Sequence, residues 1–158
     1  VEENKHVALD IVSSCKKENF KVIIAGKNPD NKLKQELSLA PNISLIENPE
    51  NKELKKLIGK ARIQVLISPQ ATGAKLKLLI GLCGNGHVIA NKNILSGTDL
   101  APFCILSEKT PHINELIGKN IHKELNKSKL IERLNFLKSH YNVRQNLRPL
   151  LNLLNKLD

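Results

Sequence analysis

Apolar residues along this chain follow two rhythms, spaced stripes and short unbroken runs, and the two alternate. Val7, Ala8, Ile11, Val12 and Cys15 fall at helical spacing and predict an amphipathic helix over Glu3–Lys17. The run Phe20–Ala25 predicts a strand ending in the turn signal Gly26-Lys27-Asn28-Pro29. Leu33 and Leu37 mark a short helix that stops before Pro41, and Ile43–Ile46 a second strand closed by Glu47-Asn48-Pro49. Leu54, Leu57, Ile58 and Ala61 mark the next helix. A polar loop is predicted over Asn91–Asp99, then a last short strand over Phe103–Leu106. Thr110-Pro111 reads as a helix start, with threonine as cap and proline at the first helical position, and Gly118 as its end. From Ser128 the chain reads as helical. Leu130, Ile131, Leu134 and Leu137 form one stripe; Val143, Leu147, Leu150, Leu151 and Leu154 form another, kinked at Pro149.

The middle of the chain is the most informative. The apolar run Ile63–Ile67 leads through Pro69 and Gln70 to Thr72 and Gly73, where a helix is predicted to begin, with Lys75 and Lys77 in its first turns. Gly84-Asn85-Gly86 then turns the chain back into the run Val88–Ala90. A helix start carries unpaired N–H groups and partial positive charge, so it attracts phosphate; glycine admits the ligand to the backbone and lysine adds charge. An ordinary crossover with a solvated lysine face accounts for the same residues. Thr72 needs no role beyond capping the helix, and Lys77 reads as surface.

Strands that are continuous apolar runs, alternating with striped helices, predict a parallel sheet covered on both faces. The expected fold is a doubly wound, Rossmann-like α/β domain over residues 1–158 with extra terminal helices. One strand ahead of Val1 is expected to complete the sheet, whose edge or face is exposed without it. Ligands of such sheets sit beyond the carboxyl ends of the strands, here the turns at Gly26, Glu47, Ser68 and Asn91.

Composition narrows the chemistry. The chain is 41% hydrophobic and 25% charged, which is globular, and no run approaches the roughly 20 apolar residues of a membrane span. Cys15, Cys83 and Cys104 are far apart among apolar neighbours and read as buried, reduced thiols of a cytoplasmic protein. His6, His87, His112, His122 and His140 have no partner at ligand spacing, so no metal site is expected. The net charge of +10 points to anionic partners: phosphorylated small molecules, polyanions or an anionic lipid surface. With 3% aromatic residues there are almost no platforms for stacking bases, which argues against single-stranded nucleic acid.

The ordered set Ile24-Ala25-Gly26-Lys27-Asn28-Pro29, Asn42-Ile43, Glu47-Asn48-Pro49, Gln70–Leu79 and Asn91 with Gly97-Thr98 resembles one family. It is similar to the carboxy-terminal, nucleotide-sugar-binding half of family 4 glycosyltransferases of the GT-B fold. The mannosyltransferase-labelled variant of Bacteroidetes genomes is the nearest in pattern. The resemblance spans nearly the whole chain. It implies a diphosphate at Thr72, Gly73, Ala74 and Lys75, with the base and ribose near Ile46, Glu47, Asn48 and Gln70. The family's Glu-Gly-Phe-Gly segment and its second glutamate map so that the two carboxylates become Thr72 and Ile80. The family's phosphate-clamping arginine and lysine would fall before Val1 and near Asn4. The implied substrate is a UDP- or GDP-type sugar, with neither cofactor nor metal required. The implied acceptor is a glycan or lipid held by an amino-terminal domain, and the implied location is cytoplasmic, with peripheral contact at the inner membrane face.

Two functional classes therefore stand. One is the donor domain of a hexosyltransferase, inactive alone because a GT-B site forms between two domains. The other is a non-catalytic basic module binding nucleotide or nucleic acid, for which the terminal helices would serve as a helix-turn-helix.

Overall fold

The computed structural model describes residues 2–72, 75–107 and 112–142. The chain divides into two compact units, residues 1–124 and residues 125–158. In the first, α1 (Glu2–Cys15) is followed by β1 (Val22–Gly26), α2 (Asn31–Ser38), β2 (Ile43–Glu47), α3 (Asn51–Lys60) and β3 (Ile63–Leu66). Next come α4 (Leu76–Leu82), β4 (His87–Ala90), α5 (Lys92–Leu95), a 3₁₀ turn over Ala101–Phe103, β5 (Ile105–Leu106) and α6 (Ile113–Asn120). The second unit holds α7 (Lys127–His140).

Local chemistry explains several boundaries. Asp30 caps α2 by accepting the Leu33 N–H at 2.8 Å, which lets the helix bury Leu33 and Leu37. The Lys5 ammonium bonded to Asp30, together with that N–H, holds the carboxyl below its ordinary range. Phe103 N and Cys104 N donate back to Leu100 O and Ala101 O in a 3₁₀ turn with Pro102 near its front, so the predicted strand over Phe103–Leu106 shrinks to the two residues of β5. The predicted loop Asn91–Asp99 contains the single turn of α5, because Asn91 caps it. Gly118 does not end α6 but lies within it, at a cost of only about 1 kcal/mol relative to alanine.

All strand pairs among the described residues are parallel, as the alternating pattern predicts. β1 lies on β2 with Val22 opposite Ile43 and Gly26 opposite Glu47. β3 lies on β4 with Ile63 opposite His87, and β4 on β5 with Ile89 opposite Ile105. The strands form two sheets, ordered β1-β2 and β3-β4-β5, and β1 does not pair with β3. Among the described residues two core clusters flank the β1–β3 seam, apart from Leu78, Leu82, Val88, Ile94 and Leu100, which are buried elsewhere. Val12, Leu33, Leu37, Ala40 and Ile43 form one, joined by Ala8, Leu9, Val22, Ile24 and Leu45. Cys15, Ile67, Ile89, Ile113 and Ile117 form the other, joined by Val7, Ile11, Val22, Ile63 and Val65. Helix α1 feeds both clusters from a single turn-to-turn stripe.

On α7 the predicted stripe is only partly buried. Leu137 is buried with Arg133, whereas Ile131 and Leu134 are exposed, so the helix does not hide one continuous apolar face. The Thr110-Pro111 start and the Val143–Leu154 stripe with Pro149 lie outside the described residues. The thiols also divide. Cys15 is fully buried, but Cys104 is only half-buried, and Cys83, at the carboxyl end of α4, is exposed; neither is the buried thiol predicted. Burial, reinforced by Glu18, pushes the Cys15 thiol up to about 11.

Asn42 locks α1 to the strand that follows it. Its Nδ2 donates to Cys15 O at 2.8 Å and to Glu18 O and Phe20 O, each at 3.1 Å. These carbonyls close the end of α1 and the bend into β1, where helical partners are missing.

Replacing Asn42 by alanine is expected to cost about 2 kcal/mol in chemical denaturation, and Asn42→Asp more, because a carboxylate would face three carbonyl oxygens. Equal losses for the two variants would contradict the donor role. With native protein near pH 8, Cys83 is expected to react promptly with a thiol reagent. Cys15, only about one thousandth thiolate at that pH, should react after denaturation alone, as counted by mass spectrometry.

Candidate functional site at the ends of β3 and β4

The carboxyl ends of β3 and β4 are held together by one side chain. Asn91 Oδ1 accepts from Ser68 N at 3.1 Å and from Ile94 N at 3.2 Å, while its Nδ2 donates to Ser68 O at 2.7 Å. A single amide thus caps α5 and fixes the chain leaving β3. Asn93 adds a second tie by donating to Pro69 O at 2.8 Å. Ser68 Oγ donates to Gln70 O at 2.8 Å and tightens the same turn.

Two lysines converge on this frame. Lys75 Nζ donates to Ala71 O at 2.6 Å and to Asn93 O at 3.1 Å, bridging the turn after β3 and the start of α5. Lys77 Nζ donates to Ile67 O at 2.8 Å. Lys77 is an exposed residue, but its ammonium is partly withdrawn from water. That desolvation, with the charge of Lys75, holds its pKa below the ordinary lysine value. Each ammonium has three protons; among the described contacts, Lys75 uses two and Lys77 one. Among the described residues no acceptor takes the remaining protons.

Helix α4 stands where it does because glycine and a buried amide allow it to approach β3 closely. Gln64 on β3 is buried and its Nε2 donates to Gly81 O at 2.9 Å. A Cβ on Gly81 would lie 2.6 Å from Leu66 Cδ1, and one on Gly84 would lie 2.9 Å from Ile58 O. At Gly86 a Cβ would meet Ala61 O at 2.2 Å and Arg62 O at 2.4 Å, so the turn into β4 accepts only glycine. Gln64 and Leu66 thus meet α4 on one face of β3, while Ile63, Val65 and Ile67 feed the core on the other.

The sequence-predicted residues distribute as follows. Helix α4 begins at Leu76 with Lys75 at its cap and no side-chain cap bond, so Thr72 does not cap it. The Thr72 hydroxyl instead lies 3.4 Å from Gln70 Oε1, and both residues are exposed. Gly73 and Ala74 lie outside the described residues. Ile80, at the position of the second family glutamate, is 44% exposed. Ile46 and Glu47 end β2 and Asn48 follows it, in the other sheet from β3, which leads to Gln70. There Asn48 N donates to Gly26 O at 2.8 Å, and Asn28 N to Asn48 Oδ1 at 3.0 Å. Both asparagines adopt left-handed backbone, with φ of 50° and 48°. The Glu47 carboxylate is engaged by Lys34 at 2.7 Å. An open cleft of about 650 Å³ lies beside this turn, lined by Lys27, Asn48, Pro49, Glu50, Asn51 and Lys52.

Lys77, Asn91 and Asn93 are the site residues whose roles the sequence pattern did not reveal. An asparagine directly after a strand and three residues before an apolar position was the available signal for Asn91. Among the described residues, no group of three or more His, Cys, Asp or Glu is placed to hold a metal ion, and no helix is long and apolar enough to cross a membrane. No known protein family and no curated protein matches this chain.

Asn91→Ala is expected to lower stability by about 2 kcal/mol, since it strips partners from Ser68 N, Ser68 O and Ile94 N together. Asn91→Asp should restore only the two accepted bonds and recover part of the loss. Thermal unfolding of the three proteins would reveal this order, and a neutral Asn91→Ala would refute the clamp.

Proposed function

We propose that the chain binds a nucleoside-diphosphate sugar as the donor half of a GT-B-type glycosyltransferase, with a doubly wound sheet as its framework. The observation that carries this reading is the pair of ammonium groups, Lys75 and Lys77, gathered at the carboxyl end of β3. Parallel α/β sheets bind ligands at that edge, and two fixed cations there suit a diphosphate. The cleft beside Asn48 suits the base and ribose, in line with the resemblance of Ile46, Glu47, Asn48 and Gln70 to the family's nucleotide contacts. The net charge of +10 favours the approach of an anionic donor and of an acceptor at an anionic membrane face.

In this reading the chain's own groups do electrostatic work. Lys75 and Lys77 stabilise the charge that develops on the departing diphosphate, a role that needs no proton transfer from either. The acceptor, a glycan or lipid, is positioned by a second domain that closes over the donor and excludes water. The chain alone therefore binds donor without transferring it. Mannosyl transfer is the type that the resemblance favours, in the cytoplasm.

A second reading, nucleotide binding without catalysis, draws on one observation. Ile80 presents an exposed apolar side chain where the resembled enzymes hold the ribose with a carboxylate. Full-length protein that binds sugar nucleotides yet neither transfers nor hydrolyses them would favour it.

Titration calorimetry of residues 1–158 with UDP, GDP and ADP tests the donor site. Weak binding is expected, and Lys75→Ala with Lys77→Ala should weaken it by about tenfold or more, roughly 1.4 kcal/mol per decade. Affinity should also fall as pH rises through the lowered pKa of Lys77, at a pH below that of an ordinary lysine, because only the protonated ammonium attracts phosphate. Unchanged affinity in the double variant would remove the site from this edge.

A further inference from the structure

We infer that the open lane between β1 and β3 takes one more parallel strand, an extended apolar segment joined to the amino end of α1, which merges the two sheets into one. This inference is independent of the nucleotide reading.

The main chain defines the lane. Val22 N donates to Asn42 O and Asn48 N to Gly26 O, so by the alternation of a parallel ladder Val22, Ile24 and Gly26 turn their polar groups toward β2. Ile23 and Ala25 turn theirs away. On β3, Arg62 O accepts from His87 N, so Arg62, Gln64 and Leu66 serve β4, and Ile63 and Val65 face the other side. No hydrogen bond among the described residues uses the main-chain groups of Ile23, Ala25, Ile63 or Val65. Both strands nevertheless border one core, because Val22 packs with Ile63 and Val65 around Cys15, Ile67 and Ile89. Two rows of unmatched donors and acceptors thus flank the same apolar floor. Such edges are templates for strand addition, and main-chain groups beside a core are costly when left unpaired. Ile23, 45% exposed in mid-strand, is the side chain left uncovered.

The position of α1 identifies the occupant. Ala8, Leu9 and Val12 pack into the β1-β2 cluster, whereas Val7, Ile11 and Cys15 pack into the β3-β4 cluster, so α1 lies across the seam. Elsewhere in this unit, α2 and α4 each connect a pair of parallel neighbours, β1 to β2 and β3 to β4. A strand leading into α1 and lying beside β1 makes the same right-handed crossover, with its helix already in place over the lane. The order becomes β2-β1-new strand-β3-β4-β5, and the four unpaired residues gain partners on both sides. A segment from a second copy would have to thread between two strands with no crossover helix to place it.

Amide hydrogen exchange by NMR tests this. In residues 1–158, the amides of Ile23, Ala25, Ile63 and Val65 should exchange much faster than those of Ile24, Gly26, Gln64 and Leu66. Fusing the probe strand Thr-Val-Val-Ile-Val-Gly ahead of Val1 should slow the first four by at least about a hundredfold. A control fusion, Thr-Pro-Val-Pro-Val-Gly, cannot hold a central-strand ladder, because each proline fixes φ and breaks the pairing along its edge, and should not. Protection of the outward four in the unfused chain, equal protection by both fusions, or protection that grows with protein concentration would overturn the proposal, the last by pointing to a second copy.

Discussion

A buried amide on a strand fixes where α4, with its two lysines, stands at the candidate site. Gln64 costs free energy to bury unless both its ends are matched, and the carbonyl of Gly81 supplies the match for its Nε2. That bond is possible only because Gly81 and Gly84 carry no side chain to hold α4 off β3. Its effect is to set the register of a seven-residue helix whose own ends offer little stability. Once α4 is seated, Lys75 and Lys77 have no choice of neighbourhood. Their ammonium groups fall among the carbonyls of Ile67, Ala71 and Asn93, and the second lysine loses part of its hydration there.

Much of this was legible from sequence, for identifiable reasons. The alternation of stripes and runs reflects burial on one face or on two, so element type and parallel pairing followed from it. Ends were less legible. Thr72 has the chemistry of a cap, but α4 starts beyond Lys75, so a favourable residue type was assigned to a place the backbone does not use. Lys77 read as surface because the reach of a lysine depends on where the preceding strand leaves its last carbonyl, which no local pattern encodes. An exposed edge was expected, but its place between β1 and β3 was not legible, for a related reason. A strand's apolar pattern records which faces it buries, not which neighbour stands along its edge.

Electrostatics at the two strand ends differ in kind. Around Glu47 a surface carboxylate is already paired with Lys34, both about two-fifths exposed, and such a pair is worth little to stability. Around Lys75 and Lys77 there are two cations and only neutral carbonyl partners among the described contacts. Carbonyl dipoles orient an ammonium without cancelling its charge. The two lysines therefore keep an unspent field at a position the backbone holds fixed, while the asparagine turn at Gly26–Asn48 offers shape and hydrogen-bonding groups.

The two hydrophobic clusters bear on how the molecule comes apart. Helix α1 supplies different residues to each, and Val22 packs against both. Cooperativity between them therefore passes through one amphipathic helix, and the β1–α2–β2 segment has enough of its own core to behave as a separate opening unit. Fraying of α1 would uncouple the halves before either lost its internal packing. Unfolding followed at α2 and at α6 would then give two transitions, with Asn42, which holds the end of α1 to the chain entering β1, deciding how far apart they lie.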